Sequence, residues 1–111
     1  MSEAKKFDTN YIEKPPMHLL DKEAMFETAR VLGFGAQKYA EENWRGGGAY
    51  NLGTKRPLAA ALRHIHQYLE GEVVDEDSGL NHLGHAMCEV MFALAADMRG
   101  KSDVGESGGA A

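Results

Sequence analysis

A single cysteine, Cys88, excludes an internal disulfide from this 111-residue chain. Its place among apolar residues reads as a buried thiol and fits a reducing cytoplasm. Twelve lysines and arginines against seventeen aspartates and glutamates leave a net charge of −5. No basic stripe is therefore available for nucleic acid or an anionic membrane surface, and a polyphosphate ligand would need a metal bridge. Long apolar runs are also missing, since the most apolar stretch is broken by Glu89 and Asp97. A membrane span is not expected, nor is a secretory leader, so the expected location is the cytoplasm. The three prolines, Pro15, Pro16 and Pro57, leave most of the chain free for helix. The length suits one small domain.

What is present divides into an arm, a helical domain and a tail. Residues 1 to 20 read as an extended arm, because helix cannot run through Pro15-Pro16. Residues 21 to 100 form the helical domain. Asp21 is the expected N-cap of a first helix over residues 22 to 40, with Met25, Thr28, Leu32, Ala36 and Tyr39 on one face. Gly33 and Gly35 would mark a close helix contact. A glycine-rich loop over residues 41 to 56 follows, then a second helix with Pro57 in its first turn and a core stripe of Leu58, Leu62, Ile65 and Leu69. A third helix spans about residues 80 to 99, with Leu83, Met87, Val90, Met91, Leu94 and Met98 on one side. Its second face carries His82, His85 and Glu89 and continues in Phe92, Ala93 and Ala96. A helix apolar on two sides needs partners on two sides, so the expected fold is an all-α bundle completed by homo-oligomerisation, as a dimer or tetramer. Residues 101 to 111, rich in glycine and serine, read as a disordered tail.

The most informative segment lies between the second and third helices. Residues 70 to 85 place five carboxylates, Glu70, Glu72, Asp75, Glu76 and Asp77, beside His82 and His85. Like charge concentrated in one bend is unfavourable unless a cation neutralises it. Oxygen ligands favour Mg²⁺ or Mn²⁺, while the imidazoles admit Co²⁺ or Zn²⁺. Taken alone, a His-x-x-His pair reads as two ordinary polar histidines, and an acidic bend as a solvated loop. The glycine-rich loop carries the complementary charge: Lys38, Arg45, Lys55, Arg56 and Arg63 flank or lie within it, with Trp44 and Tyr50 for stacking and Asn43 for a base edge. Singly, each of these also reads as ordinary surface, with Trp44 capping the core.

Several unusual segments occur in an order that resembles a known family. They are the run from Lys14 through Pro15, Pro16, Met17 and His18 to Leu20, the run from Ala29 to Tyr39, and Asn43-Trp44-Arg45. Ala61-Leu62-Arg63-His64, Gly71-Glu72, Asp75, Ser78-Gly79 and His82-Leu83-x-His85-Ala86 complete the set. Over residues 11 to 98 the chain resembles the phage dATP/dGTP diphosphohydrolases, the MazZ family of MazG-like all-α pyrophosphohydrolases. The resemblance implies a MazG-like helical bundle that cuts the α–β phosphate bond of purine deoxynucleoside triphosphates. It further implies a role in a phage-infected bacterial cytoplasm, emptying the dATP pool and supplying dGMP for 2-aminoadenine DNA.

By position, His82 and His85 stand where the MazG-like pattern has the acids of its Glu-x-x-Asp pair. The usual Glu-x-x-Glu of the preceding helix is absent, its place lying near Ala60 and Arg63. The implied mechanism is metal-assisted hydrolysis with Glu72, Asp75, His82 and His85 as ligands. Lys38, Arg45 and Arg63 would stabilise the leaving pyrophosphate, Glu70 would be the general base or a further ligand, and His64 would orient a carboxylate. Trp44 and Asn43 would hold the purine. Two other readings stay open: a metal phosphohydrolase of different nucleotide specificity, although the His-Asp doublet of one such class is absent, and a non-catalytic nucleotide- or metal-binding helical module.

Overall fold

The structure, a computed structural model, describes residues 10–38 and 53–105. Within them the regular secondary structure is helical, apart from one isolated antiparallel bridge between Val74 and Asn81. A 3-10 turn over Met17–Leu19 interrupts the expected extended arm. Helix α1 spans Lys22–Lys38, α2 spans Lys55–Leu69 and α3 spans His82–Met98. Helix α3 is central, and both other helices pack on it. Among the described residues no helix is long and apolar enough to cross a membrane.

The helix ends follow from local chemistry. Asp21 Oδ2 accepts the Ala24 N–H at 2.8 Å, the expected cap of α1. Asn81 Oδ1 caps α3 in the same way, accepting from Leu83 N at 2.8 Å. Helix α2 ends in a Schellman arrangement, with Gly71 N–H on the Tyr68 carbonyl and Glu72 N–H on the Gln67 carbonyl, and Gly71 supplies the required φ of 106°. That reversal starts the acidic loop. The start of α2 is capped from far along the chain: Asp103 Oδ1 accepts from Thr54 Oγ1 at 2.8 Å, Lys55 N at 3.0 Å and Thr54 N at 3.2 Å. Residues 101–105, expected in a disordered tail, thus fold back onto the second helix, because three unpaired donors at a helix N-terminus attract a carboxylate.

The buried faces differ from the expected ones. Helix α2 buries Pro57, Ala61 and His64, and α3 buries His82, Gly84, Ala86, Cys88, Ala93 and Ala96. The expected core residues Leu62 and Leu69 are 60% and 75% exposed, and Leu94 and Met98 are 56% and 74% exposed. Small side chains let the helix pair approach closely, which the larger leucine face would prevent. In α1 Thr28 is buried as expected, but its buried companion is Val31, so the inward face is rotated from the expected one through Met25 and Leu32. Among the described residues nothing lies within 4 Å of a hypothetical Cβ on Gly33 or Gly35, so neither marks a contact between the described helices. Cys88 is buried as expected, and burial, with Glu89 beside it, pushes its thiol up to about 12.

Candidate metal centre

The acidic bend is a folded turn. Asp75 N donates to the Leu80 carbonyl at 2.8 Å, Gly79 N to the Asp75 carbonyl at 2.7 Å, and His82 N to the Val73 carbonyl at 2.9 Å. The Asp75 carboxylate accepts the Ser78 and Asp77 N–H groups at 2.9 and 3.1 Å, which holds it beneath the first turn of α3. His82 is fully buried and His64 is 5% exposed. Their Nδ1 atoms lie 2.8 Å apart. The ring of His64 stacks on His85 with centroids 4.6 Å apart and planes at 13°. Ser78 Oγ and His85 Nε2 share a hydrogen bond of 2.7 Å, and Phe34 of α1 meets the His85 ring edge-on.

His64, Asp75 and His82 each present a ligand atom within 4.8 Å of the others, a spacing that one metal ion could bridge. A further observation fits an ion. His82 Nε2 is buried with no hydrogen-bond partner among the described residues, and Glu72 Oε2 is 3.6 Å away, beyond hydrogen-bonding distance. The electrostatics also suit ligation. Burial, with the charges of His85 and Arg63 adding to it, holds His64 down to about 4, and burial lowers His85 against the pull of Asp75. Both imidazoles are thus neutral at pH 7. Burial pushes the Asp75 carboxyl up, but the Ser78 hydrogen bonds and the histidine charges outweigh it and leave it below the usual carboxylate range.

The expected site residues separate into three groups. Asp75, His82 and His85 come together as ligand candidates, and His64, expected to orient a carboxylate, joins them through a histidine. Glu72 stands on the outer side, toward His82 Nε2. Glu70, the candidate base, is exposed at the C-cap of α2, where its N–H donates to the His66 carbonyl at 3.0 Å, and its carboxylate joins no hydrogen bond or ion pair among the described residues. Lys38 Nζ lies 3.6 Å from Asp77 and 5.2 Å from the Phe34 ring centroid, which brings its charge to the rim of the loop. Arg63 is exposed and acts electrostatically on Glu89, whose carboxyl burial raises. Asn43, Trp44 and Arg45 lie outside the described residues.

Glu27 is the residue that the apolar pattern missed. Its Oε2 accepts Asn81 N at 2.9 Å and its Oε1 meets Arg30 at 3.0 Å, so α1 anchors the start of the helix that carries both site histidines. The Asn81 N–H first, then Arg30, hold its carboxyl below the ordinary range. Gly84 makes this approach possible: a Cβ there would lie 2.9 Å from Glu27 Cγ. The helical spacing of Ala24, Glu27, Thr28 and Val31 could have indicated that face, but a search for apolar residues passes over the glutamate. Glycine to alanine inside a helix ordinarily stabilises it, yet Gly84→Ala is expected to destabilise the protein by roughly 1–3 kcal/mol, read as a lower midpoint of chemical denaturation. An unchanged or higher midpoint would remove the contact from the account.

A sequence model of the family described as dATP/dGTP diphosphohydrolase, N-terminal, matches residues 4–104. The chain belongs to the dATP/dGTP diphosphohydrolase N-terminal family. A relative named dATP/dGTP diphosphohydrolase, from Salmonella phage PMBT28, is 38% identical over 87 residues, which is 78% of this chain. The chain spans 27% of that relative's length. No solved structure matches. The match to this diphosphohydrolase family takes in every residue of the histidine and carboxylate cluster.

Proposed function

We propose that this chain hydrolyses dATP and dGTP to the monophosphate and pyrophosphate at a divalent-metal centre of His64, Asp75 and His82. The observation that carries the reading is the convergence of these three groups, one of them fully buried, in a chain of the diphosphohydrolase family. A divalent ion there would neutralise phosphate charge and make a water more acidic. The protein's own contribution is preorganisation. Ser78 keeps Asp75 ionised and in place, and the neutral His64 imidazole offers a lone pair without first shedding a proton. His85 Nε2, bonded to a rotatable hydroxyl, is placed to take a proton from the attacking water. Lys38 and Arg63 supply positive charge for the departing pyrophosphate. Glu70, exposed at the helix end, has no part in this scheme.

Arg45 is assigned to the phosphates, and Trp44 and Asn43 to the purine. Trp44→Ala is expected to raise KM for dATP and dGTP about tenfold with little change in kcat, as loss of a stacking surface would. An unchanged KM would withdraw the assignment. The outward stripe of Leu83, Met87, Val90, Leu94 and Met98 supports a homo-oligomer that completes a MazG-like bundle. Leu94→Glu should then give a monomer by light scattering, whereas an unaltered mass would exclude this face. In an infected cell such an enzyme would drain dATP and supply dGMP for 2-aminoadenine DNA. Cells expressing the parent chain should accordingly hold less dATP than cells expressing His82→Ala.

The deciding experiment incubates the purified chain with dATP, dGTP, dCTP or TTP and a divalent ion or EDTA. Purine-selective monophosphate and pyrophosphate, lost with EDTA and with His85→Ala, would support the reading. Nucleoside and triphosphate would instead indicate a different phosphohydrolase. Metal binding without turnover would favour the non-catalytic module, a reading consistent with the chain covering 27% of its relative.

A further inference from the structure

The identity of the ion follows from which ligands the fold brings together and which it keeps apart. Sequence composition favoured an oxygen cage, but the carboxylates that would build one are engaged or distant. Glu70 is exposed at a helix end, Asp77 faces Lys38, and Glu27 is held by Asn81 N and Arg30. Glu72 stands 3.6 Å from the far nitrogen of His82. What converges is two imidazole nitrogens 2.8 Å apart and the single carboxylate of Asp75, with the His85 ring stacked against His64. We propose that this cluster takes a nitrogen-seeking first-row ion of the Fe²⁺, Co²⁺ and Zn²⁺ class and discriminates against Mg²⁺. The proposal deepens the metal-dependent reading above and rests on it only for the presence of an ion.

Three physical arguments support the assignment. Mg²⁺ prefers six oxygen ligands and gives up water reluctantly, whereas imidazole nitrogen favours the later first-row ions. Two nitrogens bound at about 2.0–2.1 Å to one ion lie about 3.0–3.4 Å apart for bond angles from a right angle to the tetrahedral angle, so a small parting of the two Nδ1 atoms from their 2.8 Å separation admits a low-coordinate ion. The third argument concerns tautomers. A neutral imidazole carries one hydrogen, so in the ion-free protein one of the two Nδ1 atoms donates to the other. Ligation through both Nδ1 atoms places both hydrogens on Nε2, and the His82 Nε2–H then faces Glu72. The buried Nε2 with no partner acquires a use, and Glu72 becomes a positioning residue that raises the donor strength of His82.

The test uses the full chain, stripped of metal and titrated with Co²⁺ while its visible absorption is recorded. The expected result is a saturable, intense band typical of low-coordinate cobalt with nitrogen ligands, abolished by Zn²⁺ and untouched by a large excess of Mg²⁺. Zn²⁺ and Co²⁺ should also raise the unfolding temperature, and Mg²⁺ should not. His64→Gln and His82→Gln should lose the band. Because these buried changes can unfold the protein, the exposed Glu72→Gln is the second variant, expected to keep the fold and weaken Co²⁺ binding about 10- to 100-fold. Displacement of Co²⁺ by comparable Mg²⁺, or a spectrum unaffected in folded histidine variants, would overturn the proposal. Tight Co²⁺ binding with no pyrophosphate release would uphold it while removing the enzymatic reading. Release sustained by Mg²⁺ with no Co²⁺ bound would do the reverse.

Discussion

His82→Ala is expected to lower kcat/KM for dATP about a hundredfold or more, the largest effect of any single substitution in the chain. His82 is fully buried, its Nδ1 meets His64 at 2.8 Å, and it belongs to the ligand cluster. Its removal takes away one candidate ligand and leaves His64 Nδ1 without its partner. The second consequence has its own cost, about 1–3 kcal/mol for an unsatisfied buried polar group, so folding and catalysis must be read separately. Circular dichroism and urea denaturation establish the folded fraction, and turnover is then expressed per folded molecule. A folded variant whose kcat/KM stays within about tenfold of the parent would exclude His82 from the reaction. Glu72→Gln provides the graded comparison, since its carboxylate lies 3.6 Å from His82 Nε2 and is itself exposed.

Acidification of the metal-free protein should produce the second large effect, a fall in stability as pH drops from about 6.5 to about 4. Burial depresses His64 from 6.5 to about 4. The unfolded chain therefore binds a proton in this window before the folded chain does, and stability falls as pH falls through it. Two and a half pKa units correspond to about 3 kcal/mol at most. His85, also lowered by burial, adds in the same direction. Glu89 opposes them: burial raises its carboxyl, so its protonated form favours the fold and its contribution is lost as pH rises above 4.5. Asp75, lowered on balance, adds a further loss only as pH falls below 3.8. Urea denaturation in EDTA between about pH 7 and pH 4.5 measures the slope, and His64→Gln should flatten it. Equal slopes in parent and variant would rule out His64 as the responsible group.

The two histidines of α3 and the acidic bend were legible in the sequence because their residue types are chemically conspicuous and close together. His64 was legible as a neighbour and illegible as a ligand candidate, since eighteen residues separate it from His82 and only the packing of α2 on α3 joins their rings. Glu70 stood out for the same reason that misled: proximity in sequence, without the knowledge that the Schellman turn at Gly71 leaves it on the surface. Glu27 was hidden by distance, fifty-four residues from the Asn81 N–H it receives.

By itself the sequence determined the local events: three helices, the cap at Asp21, and a charge too negative for phosphate without a cation. These depend on neighbours within one or two turns, and such interactions are written in residue order. The tertiary structure alone decided which face of each helix turns inward. Leu62 and Leu94 are more apolar than Ala61 and Ala93, and hydropathy places them inside. The close α2–α3 approach that brings His64 to His82 admits small side chains and turns the leucines outward. Ligand identity likewise belonged to the fold, because a carboxylate and an imidazole become one site only when distant segments place their lone pairs on a common point.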